Sequence, residues 1–108
     1  YDEILKIRPG DLEALTHKAD AAMEINEYHW ALSICNRVLE VDDSNGHALY
    51  QRACAYSRLG AEEQAINDLI LAIDSSNSLR ELASEEPDFE LLRGNPRFDE
   101  LVEPSENT

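Results

Sequence analysis

Positive charge is what this chain has least of. Nine Lys and Arg stand against 23 Asp and Glu in 108 residues, a formal net charge of −14. Nucleic-acid binding depends largely on Lys and Arg displacing condensed counterions, so this balance argues strongly against it. Anionic membrane surfaces are disfavoured for the same reason. No apolar run approaches the ~20 residues a bilayer span needs. A basic, then apolar, then small-residue start is also missing, so no signal peptide is read. Cysteine is scarce too: Cys35 and Cys54 make no CxxC or other metal-type spacing and no disulfide framework. They fit a reducing compartment, and with no targeting signal the default expectation is cytoplasmic.

What is present is apolar residues, 43% of the chain, enough for one modest core in one domain. The chain opens Tyr1-Asp2-Glu3, without Met and inside an apolar-periodic stretch, which suggests a piece of a longer protein. The surplus acids form a solvated exterior that favours solubility. They would also steer in a cationic peptide or protein face, an effect that salt weakens.

Shifted by 34 residues, the sequence matches itself: Ala14 falls on Ala48, Leu15 on Leu49, Ala19 on Ala53, Ala21 on Ala55 and Ala31 on Ala65. Each period reads as two helices. Leu12, Leu15, Ala19, Ala22 and Met23 recur at three- and four-residue steps on the first. Ala31, Ile34, Cys35, Val38 and Leu39 do so on the second, and Ala65, Ile66, Leu69, Ala72 and Ile73 one period later. Asp11 and Asn45 stand where N-caps belong. Asn26 and Gly60 stand between paired helices, as the residues that best tolerate the left-handed conformation. The small residues let paired helices approach, Ala19 against Ala31 and Ala53 against Ala65. A Leu at Ala53 or Ala65 is expected to cost ~1–3 kcal/mol by overpacking. Tyr28 and Trp30 are expected to pack between hairpins, and Cys35 to lie in the core.

The series breaks where Pro87 would fall inside a third repeat. Ser78-Leu79-Arg80-Glu81 reads as a capping box opening a short helix to Glu85. Pro87 starts a turn or two carrying Phe89, Leu91 and Leu92, closed by Gly94. Asn95-Pro96 opens a last helix with Phe98, Leu101 and Val102. The expected organisation is one domain over 1–103. It comprises the second helix of a preceding repeat at 1–10, repeats at 11–44 and 45–77, and capping helices at 78–103. A disordered tail follows at 104–108.

The 34-residue period and the series Ala53-x-x-Tyr56, Leu59-Gly60, Ala65-x-x-x-Leu69, Ala72 resemble the tetratricopeptide repeat. The first full repeat departs from the pattern, with Ala22 for the usual tyrosine and Asn26 for the usual glycine. The resemblance covers residues 1–75, and residues 78–102 are similar to the unit that closes many bacterial arrays of this kind. It implies an all-α fold, a right-handed superhelix of helical hairpins with a short helical C-terminal cap. It also implies a concave groove lined by first helices, where a partner's segment lies. The implied groove positions are Glu13, Thr16, Asp20, Met23 and Glu24, then His47, Tyr50, Gln51, Cys54, Ser57 and Arg58. Chaperone-binding members grip a carboxylate with cations on this face. The matching places here, Thr16, Asp20, Gln51, Glu81 and Glu85, hold none, so an anionic tail would be repelled.

Catalysis finds little support. Cys54 and His47 share a helix face, but two turns separate them by ~10 Å, beyond the reach a nucleophile and its base need. A metal site from Asp20, His47 and Cys54 would need adjacent repeats to converge, and no His pair has the spacing of helical metal motifs. No cofactor is expected. His17 and His29 read as surface residues. Tyr50, an aromatic on the implied concave face, is the candidate anchor for a partner. The expected function is a non-enzymatic protein-interaction module holding a basic segment in its groove. The alternatives are self-association through an exposed N-terminal end, or an accessory role beside an upstream catalytic domain.

Overall fold

Two turns built alike set the architecture. At the first, Asn26 takes φ 64°, and Glu27 N–H donates to the Ala22 carbonyl at 2.8 Å while Asn26 N–H donates to that of Met23 at 3.0 Å. At the second, Gly60 takes φ 86°, with Ala61 N–H to Tyr56 at 2.9 Å and Gly60 N–H to Ser57 at 3.0 Å. These are the paired bonds of a Schellman motif, recurring at the sequence period. The asparagine and the glycine are required because other side chains clash with the backbone at positive φ.

A computed structural model describes residues 9–102. Its regular elements are all helical: α1 (Pro9–Glu24), α2 (Tyr28–Val41), α3 (Gly46–Arg58), α4 (Glu62–Ser75), α5 (Leu79–Glu85), a 3₁₀ turn (Pro87–Leu92) and α6 (Pro96–Val102). The pairs α1–α2 and α3–α4 are hairpins, and α2 packs on α3 to join them. The apolar stripes read on α2 and α4 are buried in full. Val38 and Leu39 of α2 and the whole α4 stripe meet Ala48, Leu49, Tyr50 and Ala53 of α3 in the main core.

Several local expectations need correction. Asp11 is not an N-cap: α1 begins at Pro9, whose fixed φ suits a first helical position, so Asp11 falls inside the helix. Of the residues expected as a preceding helix, 1–10, the first eight lie outside the described residues and Pro9 and Gly10 instead open α1; residue 103 and the expected tail, 104–108, also lie outside them. Ser78 does not form a capping box. Its own backbone is helical (φ −65°, ψ −18°), so its hydroxyl makes no cap bond and pairs with Ser76 instead, at 3.1 Å. Asn45 does cap α3, accepting from Ala48 N–H at 2.9 Å. Ala19 and Ala31 are both fully buried but fall in separate clusters, Ala19 with Ile34 and Cys35, Ala31 with Ala22 and Ala55. Ala53 and Ala65 do share the main cluster. Trp30 is not packed between hairpins: it is 53% exposed, because the stripe on α2 runs through Ala31 and leaves residue 30 outside it. Tyr28 is half-buried against the Ala22–Ala31–Ala55 cluster.

The C-terminal segment folds back onto the second hairpin. Ala83, Phe89, Leu92 and Phe98 are fully buried in the main core, while Leu91 is left exposed. Burying each Phe or Leu contributes roughly 1.5–3 kcal/mol. Polar ties hold α6 to α4: Arg97 reaches Glu63 and Asn67, both at 3.0 Å, and Asn95 donates to Glu62 at 3.2 Å.

Candidate functional site

The first helices of the two hairpins, α1 and α3, carry the residues singled out as groove lining, and the fold divides them into two sets. The first set stays accessible. Glu13 and Glu24 on α1 are exposed, and Met23, Asp20 and Gln51 are half-buried. Thr16 is mostly buried, its hydroxyl donating to the Glu13 carbonyl at 2.8 Å. Between the two helices lies a hollow of about 440 Å³ lined by Leu12, Glu13, Thr16, His17, Asn45 and His47. His47 is exposed, with Nε2 3.5 Å from Asp20 Oδ1, an ion pair only when the imidazole is protonated. That Oδ1 is buried and accepts no hydrogen bond among the described residues.

The second set is covered by the chain itself. The 3₁₀ turn lies against α3, so Tyr50, Cys54 and Ser57 are buried. The Tyr50 hydroxyl donates to Glu86 Oε1 at 3.4 Å, and its ring meets Phe89 edge-on at 5.5 Å. Ser57 donates to the Asp88 carbonyl at 2.6 Å, and Arg58 Nε donates to Asp88 Oδ1 at 2.8 Å. The expectation that Tyr50, Cys54 and Ser57 line an open groove is therefore corrected. Their contacts are used on Glu86–Phe89, and Arg58, though exposed, is held by Asp88.

Cys54 stands with Glu86 and Asp88, their ligand atoms within 4.8 Å of one another, and not with Asp20 and His47. Arg58 already neutralises Asp88, and Tyr50 already donates to Glu86. Burial first, then the Glu86 and Asp88 charges, push the Cys54 thiol well above its ordinary range, which leaves it protonated and weakly nucleophilic at neutral pH. Burial likewise raises Cys35 to about 12. Glu86 is raised chiefly by burial, and Tyr50 is raised by burial first, then by Cys54 and the carboxylates beside it.

The residues missed in the sequence belong to two ties. One is the Glu86–Asp88–Phe89 docking onto α3, for which no periodic signal exists. The other joins three helices. Arg52 of α3 binds Asp68 of α4 with two bonds, 2.7 and 2.8 Å, and Asn36 of α2 at 2.8 Å. Asp68 is 5% exposed, and its hydrogen bonds hold Arg52 above its ordinary pKa. A signal was there: Asp68 is an acid on the buried stripe of α4, where the preceding period has Ile34.

Residues 6–81 match the family described as alkyl sulfatase dimerisation. The chain belongs to that family. In this dimerisation-family chain, the matched stretch takes in both hairpins and the start of α5. The chain is also 29% identical, over 125 aligned positions and its whole length, to sperm-associated antigen 1 of Mus musculus. It spans 14% of that protein. No solved structure matches. No helix among the described residues is long and apolar enough to cross a membrane.

Proposed function

We propose that this chain is a non-catalytic association module of the tetratricopeptide type, a right-handed stack of helical hairpins that binds a cationic segment of a protein partner on the inner face of α1 and α3. The carrying observation is the Asp20 carboxylate, which is 37% exposed, with Glu13 and Glu24 on the same helix. Among the described residues its buried Oδ1 makes no hydrogen bond, and its one cationic neighbour is the His47 imidazole at 3.5 Å when protonated. An incoming ammonium or guanidinium would pair with the exposed part of this carboxylate through a charge-assisted hydrogen bond. Docking of the 3₁₀ turn on Tyr50 narrows the reading to the first-hairpin side, on Glu13, Thr16, Asp20, Met23, Glu24, His47 and Gln51.

The test compares the wild type with Glu13→Lys/Asp20→Lys, both immobilised and matched for helicity by circular dichroism. A protein retained by the wild type, released by salt and lost by the variant supports the reading. Equal retention by both refutes it.

A second reading is favoured by the family match: pairing between copies, or an accessory role within a larger enzyme. Two chains of charge −14 repel, so pairing would need apolar contact, which Ile25 at 61% and Trp30 at 53% exposure offer. Sedimentation equilibrium at low and high salt distinguishes the two readings. A dimer strengthened by salt and lost in Trp30→Ser would favour pairing.

A further inference from the structure

We propose that a different face of this domain carries a second docking surface: a furrow walled by α2 and α4 that takes a cationic amphipathic helix of a partner protein. Two adjoining hollows of about 620 and 240 Å³ share Asp43, Leu49 and Leu71 and so form one furrow. On α3 it uses Leu49 and Arg52, which are not the residues of the inner face. Leu49 at 3% exposure makes the floor, Leu39 of α2 a wall, and Leu71 of α4, 51% exposed, presents an apolar side chain that the chain's own fold does not cover.

Charge selects the occupant. Glu40 on α2, Asp43 in the loop after it and Asp74 on α4 line the furrow, all exposed and without an ion pair among the described residues. The one cation lining it, Arg52, is neutralised by its two bonds to Asp68. An apolar floor between carboxylates fits a helix with a Leu or Val stripe flanked by Lys and Arg. The α2 wall runs from Asn36 to Glu40, about 6 Å at 1.5 Å per residue, or about one turn of the incoming helix, and Asp43 continues the lining in the loop that follows. A second copy of the chain, at −14, is repelled by the same acids.

The test uses the whole chain with isotopically labelled Leu methyl groups and two synthetic peptides of about 14 residues. One carries a helical Leu stripe among Lys; the other has Ser for every Leu. Methyl shifts should appear at Leu39, Leu49 and Leu71 with the Leu–Lys peptide. Binding should weaken by about tenfold or more with the Ser–Lys peptide, and likewise in Leu71→Ser, whose half-exposed site tolerates the change. Asp43→Lys/Asp74→Lys should abolish it, and Asp20→Lys should leave it intact, which separates this furrow from the inner face. Shifts at Leu12 and Leu15 alone, equal binding of both peptides, or undiminished binding by Leu71→Ser would each overturn the proposal.

Discussion

Replacing Phe89 by alanine should lift the C-terminal cap from α3 while the two hairpins stay folded. Phe89 is fully buried, edge-on to Tyr50 at 5.5 Å and tilted against Phe98 at 5.8 Å. Truncating a buried Phe costs about 3–5 kcal/mol, and the lost aromatic pairs lie within that figure. The deficit falls on the element that Phe89 anchors. Opening of that element should become more populated by roughly a hundredfold to a few thousandfold, at 1.4 kcal/mol per decade. The two thiols report it separately. Cys54 lies beneath the turn with Glu86 and Asp88, whereas Cys35 is buried beside Ala19 and Ile34 of the first hairpin. Maleimide labelling at one pH, read by mass spectrometry of the two peptides, should accelerate at Cys54 by that factor and change little at Cys35. Acceleration of both together would mean that the cap and the hairpins form one cooperative unit. No change at Cys54 would mean that the turn does not shield it. Either result refutes the reasoning.

Three further outcomes follow from the same packing. Asp68→Ala strands the Arg52 guanidinium, itself 23% exposed, and should cost about 3–5 kcal/mol in urea unfolding; Arg52→Met combined with Asp68→Leu should recover most of that. Gly60→Ala, at φ 86°, should cost about 1–2 kcal/mol by the same measurement, while Asn26→Gly should be nearly neutral. Glu86 is held above its ordinary carboxylate range by burial, so the native state binds its proton more tightly than the unfolded chain. Its contribution is present below the unfolded pKa and is lost as pH rises through the folded one, so Glu86→Gln should melt progressively higher than wild type from pH 4 towards neutrality. A constant difference in melting temperature across that range would count against the assignment.

Much of the local structure was legible because its causes are local. The 34-residue self-match marks both hairpins, three- and four-residue apolar steps mark the buried stripes, and only Asn and Gly suit the positive φ of the two Schellman turns. Asn45, Pro87 and Gly94 delimit their elements through the same short-range rules. Asp11 and Ser78 failed as caps because a cap depends on backbone conformation, and residue type is only a prior for it.

By itself the sequence determined an acidic chain of two helical hairpins with a short helical segment after them, since periodicity and backbone preference act over a few residues. Only the tertiary structure decided where that segment lands. Glu86, Asp88 and Phe89 meet Tyr50, Ser57 and Arg58 across 30 residues or more, and they close the part of the expected groove that held its candidate anchor, Tyr50. The same holds for Arg52, which joins Asn36 and Asp68 across three helices, and for the furrow in which Leu71 stays uncovered. Such contacts leave no repeat in the chain, because they depend on how finished elements pack against one another.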